Sequence, residues 1–417
     1  MNSPIVAVIG GGQLARMLQE EASALGIHLR TLVEAADGSA AQVTVDAPVG
    51  RPDDDAAVRA LVHGADAVTF EHEHQDSALL SRLQGEGVQV RPAPGALLLA
   101  RDKLAMRRAV DAAGLPQPAW AEIAGTASQM RQQVLDFAAA HGWPVVLKTP
   151  RGGYDGHGVL MLDAPAELDD GEAADWISTT AAARAGHAVS GTGGGGSLGG
   201  GAVTSLLVEE AIAFTRELAV LLARRPSGQI ALWPVTQSVQ ADGICVETIS
   251  PAPDLAPEAV KEAQRIGQAI AVQADVTGVL AVEMFAVEGA DGTSLYVNEL
   301  AMRPHNSGHW TQDGAITSQF AQHLRAVLDL PLGATTPTAP TTVMVNVLGG
   351  ARQAPADALA RAMEAEPEAR IHLYGKQWRP GRKLGHVTMT TTATDPEGIA
   401  AVRERLRTVV AVLRGEA

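Results

Sequence analysis

GVLAVEMFAVEGADGTSLYVNELAMRPHNSGHWT, residues 278–311, holds two apolar runs separated by a Gly-Ala-Asp-Gly turn. The runs 279–287 and 295–300 predict two strands of a hairpin, with the turn centred near Asp291. That turn lies midway between Glu283 and Glu299, so in a simple hairpin the two carboxylates face each other across adjacent strands. Like charges placed opposite are destabilising unless a cation or proton lies between them. A solvated surface pair is the alternative, and the apolar Val282, Met284 and Phe285 around Glu283 argue against it. Hard oxygen ligands with Asn298 beside them suit Mg²⁺, which commonly bridges protein carboxylates to substrate phosphates.

Directly after the second acid come Arg303, Pro304, His305, Asn306, Ser307, Gly308 and His309. So many donors beside a metal hairpin would stabilise a small oxyanion close to a transferred phosphate. Metal ligation by His305 and His309 is the weaker option, because an i,i+4 pair needs a helix and Gly308 disfavours one.

Upstream, Lys148 ends an apolar strand beginning at Val145, and Gly152, Gly153, Gly156 and Gly158 follow it. A cation and several bare amides can surround one polyphosphate there. The loop is not a Walker A motif, because no Gly-Lys-Ser/Thr closes it. Downstream, residues 374–386 (YGKQWRPGRKLGH) concentrate cations in a chain that is otherwise acidic, which suits an anionic group such as a phosphate monoester.

At the start, a strand over 5–9, a glycine turn and a helix over 13–25 precede a second strand over 29–33. Further apolar runs at 67–70 and 88–90 continue a β-α-β pattern. Gly10, Gly12 and Ala15 with Glu34 also match a dinucleotide fingerprint. An NAD-dependent oxidoreductase is therefore a competing reading, but it leaves the acid hairpin without work. The run Glu71-His72-Glu73-His74 follows a strand and leaves two readings open, a metal cluster and, favoured because no third ligand set stands nearby in sequence, alternation at a strand end.

The remaining bounds are compositional. With 417 residues and 46% hydrophobic side chains, two or three packed domains are expected. Lysine and arginine number 32 against 47 acids, and the net charge of −15 argues against a nucleic-acid or anionic-lipid surface. The single cysteine, Cys245, excludes an internal disulfide framework. The opening residues show no signal-peptide pattern, and no apolar run is long enough to span a bilayer, so a cytoplasmic location without membrane partners is expected. A glycine- and serine-rich run near 186–203 reads as a surface insertion.

Residues 10–17 (GGGQLARM), 152–158 (GGYDGHG), 278–285 (GVLAVEMF), 298–311 and 374–386 together resemble the ATP-grasp superfamily. More narrowly, the chain resembles the 5-(carboxyamino)imidazole ribonucleotide synthase family of purine biosynthesis. The resemblance implies an α/β and α+β fold in three domains. These are a Rossmann-like parallel domain over 1–100, an ATP-grasp domain of two antiparallel sheets over 101–334, and a small C-terminal domain over 335–417. It implies a homodimer, ATP with Mg²⁺ or Mn²⁺, bicarbonate as co-substrate, and 5-aminoimidazole ribonucleotide as acceptor.

It also implies roles for residues. Lys103 and Lys148 would contact ATP phosphates, with Gly153, Tyr154, Asp155, Gly156, His157, Gly158 and Val159 as a covering loop. Glu209, Glu210, Ala211 and Ile212 would meet the adenine, Glu217 the ribose, and Gln240 and Asn298 the nucleotide. Glu283 and Glu299 would hold the metal, and Arg303 and His305 would hold or deprotonate bicarbonate. Asp155 would meet the acceptor amine, while Gln13, Asn306, Ser307, Lys376 and Arg382 would meet the acceptor nucleotide. Ala15 stands where glycine is usual, Gln240 where some members carry histidine, and Met302 where proline is common. Relatives that use formate or amino acids share the grasp, and a non-catalytic nucleotide-binding module is a further alternative.

Overall fold

The computed structural model describes residues 3–153, 158–186 and 203–416. Tyr154, Asp155, Gly156 and His157, and nearly all of the glycine-rich run, lie outside the described residues.

The first sheet is parallel, with β1 (Ile5–Ile9) between β2 (His28–Leu32) and β3 (Ala67–Phe70). Its strands read as apolar runs because helices cover the sheet. The helix Gln13–Leu25 buries Leu14, Met17 and Leu18, and Gly26 ends it at φ 68°, a left-handed conformation that suits glycine. The expected strand at 88–90 is reduced to one bridge, Val68 to Val90. Pro92 and Pro94 follow it, and neither can donate to a ladder.

A four-stranded antiparallel sheet follows, in the order β4 (Trp120–Ile123), β7 (Leu206–Glu210), β5 (Val145–Lys148), β6 (Val159–Leu162). The helices Ala127–His141 and Glu172–Arg184 pack on it through Val134, Phe137, Trp176 and Ile177.

The third sheet is the largest. It begins with β8 (Arg216–Arg224), β9 (Ile230–Leu232), β10 (Thr236–Ala241) and β11 (Ile244–Ser250), then takes the hairpin β12 (Gly278–Gly289) and β13 (Gly292–Ala301). Three late strands, β14 (Thr341–Leu348), β15 (Arg370–Leu373) and β16 (Lys383–Thr391), complete it. The segment after residue 335 is therefore continuous with the central sheet, since β11 pairs with β14 from Glu247↔Val345 to Ser250↔Thr342. It still has its own core, where the helix Pro396–Leu413 lays Val402, Leu406 and Val409 on β14 and β16.

Candidate active site

All three parts of the chain wall one cleft of about 2030 Å³. Its floor is the β12–β13 hairpin, where Glu283 and Glu299 are register partners. Burial raises the Glu283 carboxyl to about 8, and Glu299 opposite adds to the rise. Burial would raise Glu299 too, but Lys103, with Nζ 3.0 Å from Glu299 Oε1, together with Lys148 and Arg303 outweighs it, and that carboxyl lies below its usual range. Lys103 is placed by its helix, Lys103–Ala112, which Asp102 caps by accepting from the Ala105 amide.

One acid that keeps a proton beside one that is ionised is the signature of a site short of positive charge. The donor set, two carboxylates with Asn298 adjacent, fits a hard divalent cation completed by phosphates and water. Among the described residues no cluster of three or more protein ligands could hold a metal alone, which agrees with that partial shell.

Lys148 reaches the cleft from β5. Its Nζ lies 2.6 Å from Glu209 Oε2, and Arg107 Nε lies 2.6 Å from Glu209 Oε1. Burial would raise the Glu209 carboxyl, but these two cations bring it to about 2. Glu210, Ala211 and Ile212 continue along the rim, with Gly153 and Val159 near them. Glu217 also lines the cleft, and burial raises its carboxyl to about 7. Gln240 is there as well, its Nε2 donating to Ser238 Oγ at 3.1 Å.

His305 projects towards Glu283, with Nε2 3.9 Å from Glu283 Oε1. Its Nδ1 accepts from the Ser307 amide at 3.3 Å and lies 2.9 Å from Ser307 Oγ. Burial and then Arg303 push the imidazole well below its ordinary range, so the ring is neutral and Nε2 carries its proton. Arg303 Nε sits 2.9 Å from the carboxylate of Glu73.

Across the cleft, Lys376 donates to Gln13 Oε1. Burial lowers the Lys376 ammonium to about 8. Arg382, Lys383 and Asn306 line the cleft as well.

Two expected contacts move out of the cleft lining. Ser307 is 1% exposed, because the 3₁₀ turn Asn306–Gly308 turns its hydroxyl back to His305 Nδ1. Gly158 is buried at φ +74°, and a Cβ there would meet Thr149 Oγ1 at 2.4 Å, so its part is to close the loop. His309 is buried away from His305, with Nδ1 3.0 Å from Gln319 Nε2.

Sequence reasoning missed Arg107, and it noticed Glu71 and Glu73 without finding their partners. A fully buried arginine leaves no pattern distinguishable from a helix-surface charge until its acid partner, far along the chain, is known. Glu71 accepts from the Gly12 and Leu14 amides at the helix N-terminus. A carboxylate already occupies the place where a dinucleotide pyrophosphate would lie, which weighs against the NAD reading.

Two antiparallel sheets closing on a cleft of lysines and paired acids define an ATP-grasp protein, and residues 108–320 match the ATP-grasp domain family. Residues 4–101 match the ribonucleotide synthetase preATP-grasp domain and residues 342–397 the phosphoribosylaminoimidazole carboxylase C-terminal domain. The chain is 49% identical over 389 residues to an N5-carboxyaminoimidazole ribonucleotide synthase of Mycobacterium tuberculosis, covering 92% of this chain and 83% of that one. It belongs to the N5-carboxyaminoimidazole ribonucleotide synthase family.

Solved structures agree. An N5-carboxyaminoimidazole ribonucleotide synthetase with ADP bound superposes with a TM-score of 0.82 at 30% identity, covering 98% of this chain and 97% of that one. The Aspergillus clavatus enzyme with ADP and 5-aminoimidazole ribonucleotide gives 0.81 at 28% identity, covering 99% of both.

Proposed function

We propose that this chain uses ATP and bicarbonate to carboxylate the amine of 5-aminoimidazole ribonucleotide in purine biosynthesis. The products are 5-(carboxyamino)imidazole ribonucleotide, ADP and phosphate. A bicarbonate oxygen attacks the γ-phosphorus, the bond to ADP breaks, and carboxyphosphate forms. The amine then attacks the carboxyl carbon, phosphate leaves, and the amine loses a proton.

The observation that carries this reading is the meeting of an acid pair, two lysines, a neutral histidine and the basic residues Lys376 and Arg382 in the lining of one cleft of about 2030 Å³. Glu283 and Glu299 hold Mg²⁺, or Mn²⁺ in its place, with Asn298 beside them. When bound, the ion neutralises the polyphosphate charge that the carboxylates alone would repel. Lys103 and Lys148 take the phosphates, Gly153 to Val159 cover them, and Glu209 to Ile212 with Glu217 and Gln240 take the nucleoside. The described members of these groups line the cleft, apart from Gly158.

His305 and Arg303 hold bicarbonate. Because Nδ1 is engaged by the Ser307 amide, Nε2 is a donor, and His305 supports an oxyanion in preference to removing a proton. Lys376, Arg382, Gln13 and Asn306 take the acceptor nucleotide. Asp155 meets the acceptor amine, an assignment that rests on the resemblance to the family. A division at 1–100, 101–334 and 335–417, a homodimer and a cytoplasmic location complete the proposal. Among the described residues no helix is long and apolar enough to cross a membrane.

The test is release of ADP and phosphate by purified protein with Mg²⁺, omitting each substrate in turn. Full release that requires both bicarbonate and 5-aminoimidazole ribonucleotide supports the reading. Release that needs formate or an amino acid instead overturns it.

A further inference from the structure

His305 lies in extended backbone, φ −125° and ψ 155°, just before the turn Asn306–Gly308, with no strand beside it to pair its amide and carbonyl. Both groups bond to one side chain, and the carbonyl also accepts from the Gly308 amide at 2.9 Å. The His305 amide donates to Gln319 Oε1 at 2.8 Å, and Gln319 Nε2 donates to the His305 carbonyl at 2.8 Å. The second hydrogen of Nε2 serves His309 Nδ1 at 3.0 Å. Every hydrogen-bonding direction of this amide except one acceptor lone pair is therefore committed to the 305–309 segment.

Gln319 is itself fixed. It is fully buried and opens the helix Gln319–Val327, which Ser318 caps. Its amide donates to Thr311 Oγ1 at 2.9 Å, and the Thr311 hydroxyl donates to the Gly308 carbonyl at 2.6 Å. A Cβ on Gly308 would come within 2.4 Å of Gln319 Oε1, so the close approach of the loop requires glycine there. Two parallel bonds to one residue fix its backbone in rotation as well as in position, as a strand partner would.

We infer that Gln319 is a positioning residue for His305, setting where the imidazole meets bicarbonate. The inference rests on the role for His305 given under Proposed function. An ordinary buried glutamine would satisfy scattered groups. This one spends both ends of its amide on the single residue whose ring faces Glu283, and Ser307 then sets the ring.

The test uses the full chain with Gln319→Leu and Gln319→Asn, measuring kcat, KM for bicarbonate, ADP affinity and melting temperature. A displacement of about 1 Å at a reacting group costs on the order of 100-fold in rate. Gln319→Leu is expected to lower kcat by roughly 30- to 100-fold and to raise KM for bicarbonate, with ADP affinity within about twofold of the parent. Gln319→Asn, which keeps the amide on a shorter stem, is expected to fall between the two. A folded Gln319→Leu protein with parental kcat overturns the inference. Equal losses in kcat and ADP affinity also overturn it, because they mark a general structural role. If Gln319→Leu does not fold, parental kcat and KM in Gln319→Asn overturn it instead. A parent protein without bicarbonate-dependent ADP release would overturn the functional reading, a different outcome visible before any variant is made.

Discussion

Glu283 and Glu299 face each other because of a β-bulge. From Gly289↔Gly292 to Met284↔Val297 the hairpin keeps one register, and between Met284 and Glu283 it slips by one residue. Without the slip, Asn298 would stand opposite Glu283 and Glu299 would turn to the other face of the sheet. A single extra residue in β13 thus makes the acid pair.

Replacing Glu299 by glutamine keeps the shape of that pair and removes one charge. The Lys103 contact at 3.0 Å loses its ionic character, and a cation loses half of its protein charge. Turnover is expected to fall by at least about 100-fold, with the protein folded. Near-parental kcat in an ADP-release assay would remove Glu299 from the metal site.

The hairpin was legible because its alternation and turn residues lie within one short window. The bulge was not, since no residue pattern separates a bulged strand from a straight one here. Its effect was nevertheless anticipated, because a turn centred on Asp291 happens to give the same pairing that the real turn plus the slip produces. Long-range partners were hidden for a different reason. Arg107 is read as helix surface until Glu209 closes on it, and Glu73 has no visible task until Arg303 arrives from the third sheet. The same distance concealed β14, whose pairing with β11 carries the late strands into the central sheet.

The two acids also set a pH dependence. The Glu283 carboxyl stands at about 8 in the folded chain against 4.5 for the free side chain. The folded state therefore keeps a proton that the unfolded chain releases. That contribution is fully present below pH 4.5 and is lost as pH rises through 8. Without divalent cation, the parent protein is expected to lose stability relative to Glu283→Gln across this window. Mg²⁺ should raise the melting temperature more at the alkaline end. Thermal melts of both proteins over pH, with and without Mg²⁺, measure it, and parallel curves would contradict it.

Lys376→Ala tests the opposite wall. Its ammonium sits low, at about 8, because it is buried beside Gln13. Loss of the side chain is expected to raise KM for the acceptor nucleotide roughly 10- to 100-fold with kcat little changed, the pattern of lost uniform binding. In the parent protein the same KM should climb as pH passes 8 and the charge is lost. A fall in kcat alone would place Lys376 in the chemistry instead.

The last prediction concerns the buried triad of Arg107, Glu209 and Lys148. Arg107 and Lys148 share Glu209, each at 2.6 Å, and Arg107 Nη1 also donates to the Val297 carbonyl at 2.6 Å, one residue before Asn298. Arg107 thus ties β7 of the small sheet to β13 of the large one. Arg107→Met fills the space without the charge, and removing one partner of a buried ion network typically costs about 3–5 kcal/mol. Glu209 then has Lys148 as its remaining cation and holds it more tightly, so the lysine is less available to a phosphate. Lower stability in urea should therefore come with a raised KM for ATP, whereas lower stability with an unchanged KM would show that the two cations act on Glu209 independently.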